Sequence, residues 1–211
     1  MQRLRAKTKV FHTVIRDLLF ADDCALMAHT LEDIQELTTC FGRAAGRFGL
    51  RISLKKIEVM HQPKPGHAST KTSVSINGTK LNVVEKFCYL GSVLSQDAVI
   101  DENIVKSVAA ASAALGKLQS RLWSESGINL KTKIDVYVAV VISTLLYGCE
   151  SWTTYCRHFC SLDRFHMRNQ RQLAHVKWAT NAEVLRQCSM TGIDAMIVKS
   201  QLRWSGHIDR H

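Results

Sequence analysis

Leu18-Leu19-Phe20-Ala21-Asp22-Asp23-Cys24-Ala25-Leu26 is the stretch on which the fold turns. Residues 12–20 and 24–28 read as two short extended runs. The acids between them suit a tight turn, because aspartate side chains hydrogen-bond nearby backbone, so the prediction is a β-hairpin pinched at Ala21-Asp22-Asp23. The same pair bears on chemistry. Adjacent carboxylates repel unless a cation lies between them, and Mg²⁺ is a hard ion commonly held by one or two carboxylates plus substrate phosphates. Taken alone, the pair reads more readily as a polar turn than as a metal site.

Outward from the hairpin, Thr30 with Asp33 three residues on signals a helix start. Leu31, Ile34, Leu37, Phe41, Ala44 and Phe48 then form a one-sided apolar stripe that Gly49 ends. Residues 50–60 and 73–76 read as strands separated by a loop with Pro63, Pro65 and Gly66. Asn77-Gly78 is a strong hairpin signal, leading into a strand over 80–84, and 87–94 reads as a further strand. From Asp101 the pattern becomes helical. Ile104, Val108, Ala111, Leu115, Leu118 and Leu122 mark one face; Leu130, Ile134, Val138, Val141 and Leu145 mark another. A basic helix is predicted over 162–178, a short one capped by Thr180 and Glu183, and a last one over 194–204. The expected fold class is α+β, a small antiparallel sheet with one packed helix followed by an all-helical region. The expected domains are 1–96 and 97–211.

Composition narrows the function classes. The chain has 211 residues, with 28 Lys plus Arg against 18 Asp plus Glu and a net charge of +10. A hydrophobic fraction of 46% is too high for a disordered basic tail. The longest apolar run, 136–147, is shorter than the roughly 20 residues a bilayer span needs. His12, Arg16 and Asp17 interrupt the only apolar stretch near the start, so no secretory signal is read. The expectation is an intracellular protein, nuclear or cytoplasmic, neither secreted nor membrane-spanning. The seven cysteines then read as reduced thiols, with Cys24 and Cys88 as core residues of their strands. The spacing of Cys149, Cys156, Cys160 and His166 matches no zinc knuckle or finger.

Surplus positive charge favours an anionic partner, nucleic acid first. On a helix beginning near Leu162, Arg164, Arg168 and Arg171 fall on one face, with His175 and Lys177 following. Such a stripe can track phosphates, and Trp152 and Trp178 can stack on bases. The competing reading is a solvated face above a core stripe of Leu162, Phe165, Asn169 and Leu173.

Several ordered motifs resemble one family. Phe20-Ala21-Asp22-Asp23, the amphipathic helix, Phe48-Gly49-Leu50-Arg51-Ile52-Ser53-Leu54-Lys55-Lys56 and Phe87-Cys88-Tyr89-Leu90-Gly91-Ser92 look like motifs C, D and E of a reverse transcriptase palm. Leu145-Leu146-Tyr147-Gly148-Cys149-Glu150-Ser151-Trp152-Thr153, Thr180-Asn181-Ala182-Glu183-Val184-Leu185 and Leu202-Arg203-Trp204-Ser205-Gly206-His207 look like its later segments. The resemblance, from about Phe11 to His207, is to reverse transcriptases of non-long-terminal-repeat (LINE-type) retrotransposons. It implies the C-terminal part of the palm, then thumb and C-terminal helices. It further implies Asp22 as a ligand of catalytic Mg²⁺ with Asp23 beside it, and Lys56 near the incoming triphosphate. Tyr89, Leu90 and Gly91 would form the primer grip, with an RNA template and a DNA primer as partners. The family usually has Asn and Thr where Ser53 and Ile57 stand.

In the family a further metal-binding aspartate, motif B and the fingers precede motif C, whereas 21 residues precede Asp22 here. Asp17 lacks that aspartate's sequence surroundings. The expectation is therefore a polymerase fragment that binds Mg²⁺ weakly or not at all and does not polymerise alone. A separate chain supplying the missing palm and fingers would be its partner. Two alternatives stand beside this reading: a non-catalytic basic nucleic-acid-binding module, and a decayed reading frame without activity.

Overall fold

Thr30 opens the first helix as its spacing predicts: its hydroxyl oxygen accepts from the Asp33 backbone N–H at 3.1 Å. The helix, α1 (Leu31–Arg47), closes in a Schellman turn. Gly49 sits at φ +70°, its N–H donates to Gly46 C=O, and Leu50 N–H donates to Ala45 C=O. These are features of a computed structural model that describes residues 17–63, 73–176 and 178–208. Residues 12–16 of the first predicted strand, most of the Pro65-Gly66 loop and Lys177 lie outside the described residues. The chain divides into two units, Met1–Asp97 and Ala98–His211.

The class is α+β. In the first unit β1 (Asp17–Phe20) pairs antiparallel with β2 (Asp23–Leu26), β4 (Ser75–Ile76) with β5 (Thr79–Lys80), and β7 (Lys86–Tyr89) with β8 (Ser92–Ser95). The remaining pair, β3 (Glu58–Val59) with β6 (Asn82–Val83), is parallel. Among the described residues the strands thus form four two-stranded ribbons where a single small sheet was expected. Isolated ribbons are marginal in water, so packing must hold them. Val74, Ile76 and Leu81 are buried, with Ile34, Leu54, Ile57 and Val59 packed around them. Gln35 stitches α1 to β4: its amide N–H donates to Ser75 C=O at 2.8 Å, and its amide oxygen accepts from Ser75 N–H at 2.9 Å. One side chain thereby satisfies both backbone groups of a strand residue.

Three strand expectations need correction. Residues 50–60 are not one strand; a 3₁₀ turn, Leu54–Lys56, precedes the two-residue β3. Leu54 and Ile57 both reach the small core, and three residues per turn places positions i and i+3 on one side. Residues 87–94 are not continuous either, because Leu90 and Gly91 turn the chain back on itself. Cys24 and Cys88 lie on strands but are exposed.

The second unit is helical. α2 (Asp101–Lys117) ends in a π-helical turn, Gln119–Trp123. α3 (Leu130–Val136) continues through a π segment, Tyr137–Ile142, into α4 (Ser143–Leu145). Tyr137 is buried there and Val138 is exposed, the reverse of the predicted stripe. The wider π turn carries the inward face from Tyr137 to both Val141 and Ile142. α5 (Cys156–Leu173) starts earlier than predicted and ends sooner, at a Schellman turn with His175 in the left-handed position at φ +54°. α6 (Asn181–Gln187) carries the predicted Thr180–Glu183 capping box, and α7 (Ile193–Ile208) runs a turn beyond Trp204. The core holds Tyr137, Leu145, Leu162, Val184, Ile193 and Ile197. Among the described residues no helix is long and apolar enough to cross a membrane.

Candidate functional site

The acidic pair is carried by a tight hairpin. Phe20 pairs with Asp23, so the turn is Ala21, at φ +52°, and Asp22; Asp23 is already the first residue of β2. Residues opposite each other across an antiparallel pair project to the same face. Asp23 therefore shares a face with Phe20, Leu18 and Ala25, while Asp17, opposite Leu26, lies on the other. Asp17 is thus turned away from Asp23 and does not complete a three-carboxylate set. Asp22 and Asp23 are exposed and lack a hydrogen-bond or ion-pair partner among the described residues.

Tyr89 joins this hairpin to a second one. Its hydroxyl donates to the Leu18 carbonyl at 3.1 Å, a contact spanning 71 positions in sequence. Tyr89 pairs with Ser92, so the turn between β7 and β8 is Leu90 at φ +48° and Gly91 at φ +84°. A bulky leucine in the left-handed region is strained, and such strain persists only where the surroundings impose it. One side-chain hydrogen bond thus links the hairpin that carries the predicted metal pair to the hairpin of the predicted primer grip. Lys56 is exposed on the 3₁₀ turn, without an ion pair to either aspartate among the described residues.

The donor set can be judged against Mg²⁺. Among the described residues no group of three or more His, Cys, Asp and Glu side chains converges. Two exposed carboxylates at a turn supply hard oxygen ligands, which fits the ion's preference as a partial set. Water and phosphate oxygens would have to fill the other positions.

In the helical unit the predicted basic stripe breaks up. Arg164 and Arg168 are exposed on α5. Arg171 is half-buried: one guanidinium nitrogen donates to the Ala179 carbonyl at 2.6 Å and the other to the Asn181 side-chain oxygen. It clamps the loop between α5 and α6. His175 is off the helix, and Lys177 is outside the described residues. His166, within the basic segment by sequence, is fully buried between the Tyr137 hydroxyl at 3.2 Å and the Gln170 amide at 3.0 Å. Burial lowers the His166 pKa and keeps the ring neutral, and it pushes the Tyr137 phenol well above its ordinary value. Of the two tryptophans expected to stack, Trp152 is 5% exposed and Trp178 is 97% exposed.

One polar cluster had no signal in the sequence. Arg157 forms a two-pronged ion pair with Asp101, Nε to Oδ1 at 3.0 Å and Nη2 to Oδ2 at 2.8 Å. The buried His158 ring accepts the Tyr155 backbone N–H at Nδ1, which leaves Nε2–H to donate to Asp101 Oδ1 at 3.1 Å. Both ring nitrogens are committed to fixing the ends of α5 and α2, so neither is free for proton transfer. Separation of 56 positions hides this cluster from any local pattern.

Compared with known proteins, the chain is similar to an uncharacterized transposon-derived protein of Caenorhabditis elegans. The two are 22% identical over 205 residues, covering 93% of this chain and 72% of that protein. This likeness supports a transposon-related origin. No family model matches the chain. No solved structure matches it either.

Proposed function

We propose that the chain is the later palm and the thumb of a retrotransposon RNA-directed DNA polymerase. In this reading Asp22 and Asp23 hold Mg²⁺, Tyr89, Leu90 and Gly91 seat the primer end, and Lys56 lies toward the incoming triphosphate. The observation that carries it is the Tyr89–Leu18 hydrogen bond, which links a strained hairpin to a hairpin bearing two carboxylates that have no partner among the described residues. The reaction is attack of a primer 3′-hydroxyl on the α-phosphate of a deoxynucleoside triphosphate, with pyrophosphate leaving. It is accelerated by positioning and by metal stabilisation of developing charge. Among the described residues no third His, Cys, Asp or Glu side chain converges on Asp22 and Asp23, so extension of a primed RNA template by these 211 residues alone is expected to be absent.

Mn²⁺ substituted for Mg²⁺ tests the metal assignment through paramagnetic broadening of amide NMR signals. Signals of residues 21–24 and 89–91 are expected to broaden selectively. Replacing both Asp22 and Asp23 with Asn is expected to abolish the effect in both hairpins. Tyr89→Phe is expected to spare 21–24 and weaken broadening at 89–91. Broadening that survives the double Asn variant refutes the metal assignment.

A further inference from the structure

Trp178 is a large apolar side chain held almost entirely in solvent. An exposed indole offers a flat apolar face with a polar edge, the kind of ring on which bases stack. It lines an open groove with Val176, Ala179, Glu183, Arg186 and Gln187, about 540 Å³ in volume. The groove is open to solvent, which leaves the indole face free to be stacked upon.

The loop presenting Trp178 is held from both sides. Arg171 grips the Ala179 carbonyl and Asn181. Val176 N–H donates to Arg171 C=O at 3.0 Å behind the left-handed His175. Thr180 is locked by the Glu183 carboxylate, which accepts from its N–H at 2.8 Å and its hydroxyl at 2.9 Å. Anchors on both flanks lower the entropic cost of presenting the ring.

Charge selects the occupant. Leading to the loop, the solvent face of α5 carries exposed Arg164 and Arg168 one turn apart, and then His175 beyond the helix end. The one acid on α5, Asp163, is half-buried, and the Glu183 carboxylate in the groove is engaged by Thr180. Cations followed by an open aromatic face match a strand whose phosphates run along the arginines and whose base stacks at the end. An apolar protein partner would leave Arg164 and Arg168 without a role. We propose that Trp178 is a stacking platform for an unpaired base of a single-stranded nucleic acid tracked by Arg164 and Arg168. The site lies in the helical unit and does not rest on the metal assignment of Asp22 and Asp23.

The test is fluorescence titration of the full chain carrying Trp204→Phe with a twelve-residue oligothymidylate. In that background the other tryptophans, Trp123 and Trp152, are buried, so Trp178 is the accessible reporter. The oligonucleotide is expected to quench Trp178 and shield it from acrylamide. Trp178→Ala is expected to weaken binding roughly 5- to 100-fold without changing the salt slope. Arg164→Ala with Arg168→Ala is expected to flatten the log–log salt slope by about 1.4. Wild-type affinity in Trp178→Ala overturns the proposal. So does a Trp178-dependent self-association in sedimentation with no oligonucleotide quenching, which would make the indole a protein contact.

Discussion

Arg171→Ala separates a structural arginine from a phosphate-binding one. In sequence, Arg171 is the third member of a basic stripe, equivalent to Arg164 and Arg168. In the structure its guanidinium is spent on the Ala179 carbonyl and the Asn181 side chain, while Arg168 is exposed. Hydrogen bonds from a charged donor contribute about 1.5–3 kcal/mol each, less where a partner is exposed. Asn181 is exposed and Ala179 half-buried, so the pair together is worth about 2 kcal/mol. For a unit of this size that corresponds to a melting temperature roughly 10 °C lower, or a urea midpoint lower by about 1 M. Far-UV circular dichroism at the helical minimum reads the transition. Arg168→Ala should stay within about 0.5 kcal/mol of wild type, as exposed substitutions do. Arg171→Lys should recover little, because a point ammonium on a flexible stem cannot reproduce the fork. If Arg171→Ala and Arg168→Ala unfold at the same urea concentration, the clamp contributes nothing and does not anchor the segment before α6.

Two further outcomes follow from charge and burial. Arg157 first, then His158, hold the Asp101 carboxyl below its ordinary 3.8, and the Thr180 N–H and hydroxyl do the same for Glu183. A depressed folded-state pKa contributes stability that is complete above the unfolded value and lost as pH falls through the folded one. Urea midpoints should therefore drop between about pH 5 and pH 2, and Asp101→Asn should flatten part of that drop; an unchanged profile refutes the ion pair's contribution. Five thiols, Cys24, Cys40, Cys88, Cys156 and Cys160, are exposed, whereas Cys149 and Cys188 are buried and their pKa values are raised by desolvation. Ellman's reagent should label five thiols rapidly and the other two only on unfolding. More than two protected thiols in the native chain would contradict the exposed placements.

Local rules were legible where their residues speak for themselves. Thr30, Thr180 with Glu183, and Asn77-Gly78 each carry their own hydrogen-bonding partner or backbone preference, and each stands where the pattern placed it. Helix ends were readable only at Gly49. The same Schellman geometry recurs at His175 and Ser189, residues that take a positive φ without announcing it. A like concealment applies at Ala21 and Leu90, whose left-handed backbones make the two hairpins of the candidate site. The 3₁₀ turn before β3 and the π segment at Tyr137 were missed because a fixed period of 2 or 3.6 cannot express them.

By itself the sequence determined the α+β class, the order of strands and helices, and the position of the two adjacent carboxylates at a reversal of the chain. Those properties depend on neighbours within a few positions, where side-chain period and turn chemistry act. Tertiary structure alone decided which polar residues are available. Arg171 reads as a member of a surface stripe yet is a loop clamp, and His166, within the same basic segment, is a neutral ring in the core. Asp17 sits five positions from Asp22 but lies on the opposite face of the hairpin from Asp23. Tyr89 and Leu18 meet across 71 positions because a hydroxyl near a strand end found a carbonyl on another ribbon. Burial and partnership are set by what packs from elsewhere in the chain, and no window of local sequence contains that information.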